Sequence, residues 1–111
     1  MTPQEMRVLF DYNAWANHRA LEAACRRRGW RFAREGFADR AMRGGRLVPR
    51  GEPGALIADP AAAAENARRL FAAVDTICVH GDTRNAATSL KIIRDELKNQ
   101  NVEVTSIRSI M

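Results

Sequence analysis

The sequence is poor in cysteine, lysine and histidine, and no apolar run is long enough to cross a bilayer. Cys25 and Cys78 lie far apart with no Cys-x-x-Cys pair, so neither a disulfide framework nor a thiolate metal site is indicated. The first 25 residues include Glu5, Asp11 and Glu22 and lack the apolar core of a signal peptide, which points to a cytoplasmic protein. A phosphate-binding glycine motif is also missing, because Gly44-Gly45 is not followed by Lys-Ser/Thr and opens no clear helix. His18 has no metal-ligand partner one helical turn on and reads as solvated.

The chain has 111 residues, of which 46% are hydrophobic and 28% charged, as expected for one small globular unit. Its net charge of +5 is unevenly placed. Residues 1–50 hold 11 Arg against 5 acids, and residues 51–111 hold 7 Lys and Arg against 8 acids. The basic residues are scattered, apart from Arg26-Arg27-Arg28 at a helix end, where exposed carbonyls favour cations. That distribution argues against nucleic acid, whose footprint is a clustered stripe.

Helical spacing of Met6, Leu9, Phe10, Ala14, Leu21, Ala24 and Cys25 predicts one long helix over 4–28, ended by Gly29. Asn13 and Asn17 fall within that stripe, and Trp15 falls opposite it. Residues 30–35 alternate like a short strand. The stretch 36–54 holds five glycines and two prolines and reads as a long loop, with a turn at Gly44-Gly45 and a short hairpin around Leu47-Val48. Asp59-Pro60 starts a second helix that runs to about residue 73 and buries Ala63, Ala67, Leu70, Phe71 and Val74. Residues 75–80 and 102–107 read as strands. Between them a helix over 84–99 has Ala86, Ala87, Leu90, Ile93 and Leu97 as its inward face, with Asn99 and Asn101 available to cap its end. The alternation predicts an α/β protein of parallel βαβ units. Three or four parallel strands with faces left to cover suggest a piece of something larger.

In α/β folds ligands gather where parallel strands end at their carboxyl ends. Two such ends carry unusual polar groups, Glu35 with Asp39-Arg40 and His80-Gly81-Asp82. Glu35 and Asp39 could act as paired carboxylates, and His80 with Asp82 as base and orienting partner or as metal ligands. The structural alternatives are a strand-end histidine, an Asp82 or Thr83 helix cap, and an Asp39–Arg40 pair closing a loop.

These residues also carry a resemblance. The Ala-Arg-Glu-Gly-Phe-Ala-Asp-Arg-Ala run from residue 33, the Gly-Arg-Leu-Val-Pro-Arg run that ends at Arg50, and Asp75-Thr-Ile-Cys-Val-His-Gly-Asp-Thr83 resemble the C-terminal part of the LamB/YcsF family over roughly residues 20–105. The resemblance implies a fragment of a distorted (β/α) barrel of glycoside hydrolase/deacetylase type, preceded here by one long N-terminal helix. It implies the A subunit of the ATP-hydrolysing 5-oxoprolinase, which opens the lactam of 5-oxoproline to glutamate with ATP as cofactor and with partner subunits B and C. Matched motif by motif, Glu35, Asp39, His80 and Asp82 would be catalytic, and Arg40 and Arg50 would hold a carboxylate or phosphate of the small-molecule substrate. The family's Asn-Ala-Asp-Leu-Gly-Glu, Gly-Phe-His and Lys-Pro-His-Gly motifs are absent from this sequence. Residues 9–24, around Leu9-Phe-Asp-Tyr-Asn-Ala-Trp15, resemble the first helix of DinB-type bundles. This suggests a division into residues 1–28, a DinB-like helix, and residues 29–111, a partial LamB/YcsF-type domain. Two readings follow, a 5-oxoprolinase-type hydrolase or a non-catalytic α/β fragment that oligomerises or docks on partner subunits. The first expects the six site residues to converge on one cleft. The second expects an exposed sheet edge and a disordered 36–54 segment.

Overall fold

The computed structural model describes residues 1–110, without the side chains of Arg7, Phe10, Asp11, Tyr12, Ala14, Trp15 and Ile110. The expectations for Phe10, Ala14 and Trp15 therefore lie outside the described side chains. The elements are α1 (Pro3–Arg27), β1 (Glu35–Phe37), β2 (Met42–Arg43), β3 (Arg46–Leu47), α2 (Pro60–Leu70), β4 (Thr76–Cys78), α3 (Ala86–Asn99) and α4 (Ile107–Ile110). The chain divides into two compact units, Met1–Phe32 and Ala33–Met111. No described helix is long and apolar enough to cross a membrane.

The first unit is α1 and its exit. Thr2 and Glu5 form a capping box, in which Thr2 Oγ1 accepts from Glu5 N at 3.1 Å and Glu5 Oε2 accepts from Thr2 N at 2.7 Å. At the other end Gly29 takes φ +70°, Gly29 N donates to Arg26 O at 3.2 Å and Trp30 N donates to Cys25 O at 2.8 Å, which closes a Schellman motif. Within the expected apolar stripe Met6, Leu9 and Leu21 are exposed. His18 is exposed and meets the Phe32 ring edge-on at 5.1 Å.

The second unit is built on one parallel β-α-β unit. β1 and β4 pair in parallel with Gly36 opposite Ile77, and α2 lies between them in sequence. The Asp59 carboxylate caps α2 by accepting from Ala62 N at 3.0 Å, and Pro60 sits in the first turn. Ala63, Ala64 and Ala67 of α2 and Ile93 and Leu97 of α3 are buried together with Ala38, and Ile77 and Val79 pack against them. Gly36 lies close against Val74 and Leu70, where a Cβ would meet Val74 Cγ1 at 3.1 Å and Leu70 Cδ1 at 3.3 Å and these side chains would have to shift. α3 ends in a second Schellman motif, with Asn101 at φ +60° and Val102 N donating to Leu97 O at 2.9 Å.

Several expectations are corrected. The strand expected over 30–35 begins only at Glu35, and the strand expected over 75–80 is confined to Thr76–Cys78. The third strand, over 102–107, does not form. Residues 102–106 have no regular structure and α4 follows. Arg34 O still accepts from Asp75 N at 2.7 Å and Thr76 N at 3.0 Å on the approach to the β1–β4 pair, but at 30–33 and 102–106 no strand pairing forms among the described residues, and a strand exists only where it is hydrogen-bonded. The sheet is therefore two parallel strands rather than three or four. α2 stops at Leu70, short of residue 73. The inner face of α3 is Ser89, Ile93 and Leu97, with Leu90 48% exposed and Ala87 exposed. This is a rotation of the expected face toward the i, i+4 row that meets the alanines of α2.

The 36–54 segment is ordered by pairing. β2 and β3 form an antiparallel hairpin through Gly44 and Gly45, at φ +61° and +79°, as a primed two-residue turn requires. The chain then returns along the end of β1. Ile57 N donates to Asp39 O at 2.9 Å, Ala41 N donates to Ala55 O at 2.9 Å, and Arg40 bridges Leu56.

Candidate functional site

The site lies at the carboxyl ends of β1 and β4. Successive residues of a strand alternate faces, so Glu35 and Phe37 share one face of β1, and Thr76 and Cys78 share the matching face of β4. Continued beyond the strand ends, that alternation brings Asp39 and His80 side by side. Parallel pairing places both ends at the same edge, which is why residues 41 positions apart meet.

Asp39 is 1% exposed, and its carboxylate accepts three hydrogen bonds. His80 N donates to Oδ2 at 2.6 Å, Thr83 Oγ1 donates to Oδ2 at 2.8 Å, and His80 Nδ1 lies 2.8 Å from Oδ1. Burial pushes the Asp39 carboxyl up. The bonds from the His80 ring, the His80 N–H and the Thr83 hydroxyl outweigh that, so it stays below the ordinary carboxylate value and is ionised near neutral pH. An ionised carboxylate only accepts, so Nδ1 of His80 carries the proton in this bond and Nε2 is the ring nitrogen left for another partner. Phe37 stacks on the His80 ring at 5.6 Å with an interplanar angle of 15°. The His80 side chain is 27% exposed, so the ring is held on one side and reachable on the other.

The turn that carries Asp39 is clamped from α2. Asn66 Nδ2 faces the carbonyls of Phe37 and Ala38 at 3.1 Å each and that of Arg40 at 3.4 Å. The Arg40 side chain turns inward, Nη2 donating to Val48 O at 2.7 Å, and its Nε is buried with no partner among the described residues. Arg50 pairs with Asp82 at 3.3 Å across an exposed rim, and the Arg50 hydrogen bond holds the Asp82 carboxyl below its ordinary value. Glu35 is exposed at the start of β1, four residues before Asp39 in the turn that follows the strand.

Of the six residues singled out in the sequence, the structure joins Asp39 to His80 and Arg50 to Asp82, two residues beyond His80 in the same turn. It does not join Glu35 to Asp39 as a carboxylate pair, nor Asp82 to His80 as its orienting partner. That second role falls to Asp39. Asp82 and Thr83 do not cap α3 either, because the cap position is Asn85, at φ +62° and without a side-chain bond. Three residues at the site escaped the sequence reading: Thr83, Phe37 and Asn66. Asn66 had a legible signal, as a lone amide one turn from Ala63 on an otherwise apolar helix face. Thr83 stood out only as a possible helix cap, because the partner that takes its hydroxyl is 44 residues away. No group of three or more acidic, His or Cys side chains that could hold a metal occurs among the described residues. A cavity of about 370 Å³ lies between β4, α3 and residues 102–107, lined by none of the six.

The chain has relatives among known proteins. Residues 11–111 match the LamB/YcsF family. The chain is 45% identical over 93 residues to the A subunit of a 5-oxoprolinase from Mycolicibacterium paratuberculosis, covering 70% of this chain and 37% of that protein. It is 41% identical over 104 residues to the corresponding protein of Pyrococcus furiosus, covering 80% and 40%. The crystal structure of a lactam utilization protein from Thermus thermophilus superposes with a TM-score of 0.64 at 34% identity, over 75% of this chain and 38% of that one. The chain thus spans well under half the length of these relatives, and the match begins within α1. With the family's pattern running through β1, the 36–54 loop and β4 into α3, this chain belongs to the LamB/YcsF family.

Proposed function

We propose that the chain carries part of the lactam-opening centre of an ATP-coupled 5-oxoprolinase, with His80 as general base and Asp39 as the group that orients it. The observation behind this reading is the 2.8 Å contact between His80 Nδ1 and a buried Asp39 at the carboxyl ends of two parallel strands. With Nδ1 tied to the carboxylate, Nε2 takes a proton from water as its oxygen attacks the lactam carbon. The imidazolium then returns that proton to the ring nitrogen as the C–N bond breaks, giving the open amino acid. Arg50 and Arg40 are the groups for the substrate's carboxylate, Arg50 by leaving its exposed pair with Asp82 and Arg40 by turning out of its buried bond to Val48 O. Glu35, on the open sheet face, lies in reach of a second proton transfer only if substrate spans that face.

ATP would activate the lactam oxygen as a phosphate, a better leaving group. The described residues do not suit the nucleotide. The first turn of α2 already binds the Asp59 carboxylate, and both lysines lie on α3 beyond its first turn. No step here is therefore assigned to ATP, and its site belongs with partner subunits B and C in this reading. The two-stranded sheet stands for a segment of the family's (β/α) barrel, and residues 1–28 stand for a separate DinB-like helix joined to a partial domain. The test is ATP turnover with 5-oxoproline after the purified chain is mixed with subunits B and C. Turnover that is lost in His80→Ala and Arg40→Ala supports the reading. A folded chain giving no turnover overturns it and leaves the non-catalytic alternative. The half-exposed sheet face of Glu35, Phe37, Thr76 and Cys78 favours that alternative as a docking module.

A further inference from the structure

We infer that Thr83 is a positioning residue for His80, acting through the Asp39 carboxylate. This deepens the proposed function and rests on its reading of His80 as the base. Thr83 is 7% exposed, and its hydroxyl donates to Asp39 Oδ2 at 2.8 Å. The same oxygen takes the His80 backbone N–H at 2.6 Å, while the other oxygen faces the His80 ring at 2.8 Å. The division of labour sets the rotation of the carboxylate. With two donors fixing Oδ2, Oδ1 points at Nδ1. With only one, the group is free to turn about its last bond and the ring loses its fixed proton position.

The backbone supports this role. His80-Gly81-Asp82-Thr83 is a tight turn closed by Thr83 N donating to His80 O at 3.2 Å, so the imidazole and the hydroxyl are the two ends of one turn gripping one carboxylate. A threonine just before a helix ordinarily caps it. Here α3 starts without any side-chain cap and Asn85 is left-handed at its start, while the Thr83 hydroxyl is turned away to Asp39. A local preference given up in this way is the pattern expected where a site outranks the helix end.

The experiment is ¹⁵N NMR of the His80 ring in the full chain, with His18→Gln removing the other imidazole. Wild type should show a single tautomer, protonated at Nδ1. Thr83→Val should show mixed tautomers, and Thr83→Ser should restore the single pattern. In the reconstituted assay Thr83→Val should lower kcat on the order of tenfold with KM unchanged, and Thr83→Ser should stay near wild type. If Thr83→Val does not fold by circular dichroism, Thr83→Ala is read in its place. An unchanged ring pattern in the hydroxyl-less variant overturns the positioning role. A changed ring pattern with no effect on turnover, or with no turnover in wild type, upholds the positioning of the ring and overturns its reading as the base.

Discussion

The bonds that close α1 join residues three to five positions apart, whereas the Asp39 carboxylate is gripped by residues 41 and 44 positions away. The first unit draws its described order from caps, the capping box at Thr2 and Glu5 and the Schellman turn at Gly29, while Met6, Leu9, Leu21 and Trp30 remain exposed. The second draws its order from burial between α2 and α3 and from polar clamps, Asn66 and Asp39, that tie strand ends to distant segments. Local bonds make an element cheaply but place no side chain against a distant one. Chemistry needs the second kind, because proton transfer depends on groups held within hydrogen-bond reach.

The contrast is most easily broken at Asp39. Asp39→Ala strips a buried carboxylate from three donors and should lower the stability of the second unit by about 2–4 kcal/mol, read as the shift of its urea unfolding midpoint. A change no larger than that of a helix cap would place the two units on the same footing. The same residue should set the acid limb. Its folded pKa is depressed, so the stability it contributes is present above the ordinary carboxylate value of about 4 and is lost as pH falls through the lower folded value. Asp39→Asn should flatten that limb. Asp75, Asp82 and Glu65 also lie below their ordinary values, each through a hydrogen bond from an arginine. They are solvent-accessible, so melts at high salt screen their share and leave that of Asp39.

Removing the other clamp should cost less. Asn66→Ala leaves the carbonyls of Phe37 and Ala38 without their side-chain donor and should destabilise the second unit by about 1–2 kcal/mol, with faster amide exchange at Ile57. In the first unit Gly29→Ala forces a Cβ into the left-handed region and should cost about 1 kcal/mol. That is read as roughly five- to tenfold faster exchange of the Trp30 amide, with the α1 interior unchanged. Arg50→Ala should have the smallest effect on stability, leaving the unfolding midpoint where it is, because its partner Asp82 is exposed. Under the proposed function it should nonetheless raise KM for 5-oxoproline. A fall in kcat instead would remove Arg50 from substrate binding.

Much of the second unit was legible because its signals are local. Asp59-Pro60 writes the start of α2, Gly44-Gly45 writes the hairpin, and Asn101 writes the end of α3. No strand forms at 30–33 or 102–106, because a strand-like composition describes a chain ready to pair, and only a paired neighbour turns it into a strand. The site divides in the same way. Asp39, His80 and Asp82 stood out as polar groups at strand ends, and the family motifs ran through them. Which acid pairs with His80 was not written in spacing. Asp82, two residues from His80, faces Arg50 instead, while Asp39, remote in sequence, orients the ring.

The sequence by itself determined the three long helices, the cap at Asp59, the turns at Gly29 and Gly44-Gly45, and the family to which the chain belongs, because these depend on short-range sterics and on motif residues in order. Tertiary structure alone decided that the sheet has two strands, that Thr83 serves Asp39 rather than a helix end, and that Arg40 turns inward to Val48. Those outcomes are set by parallel pairing and by the burial of a carboxylate, which bring together groups that no local pattern relates.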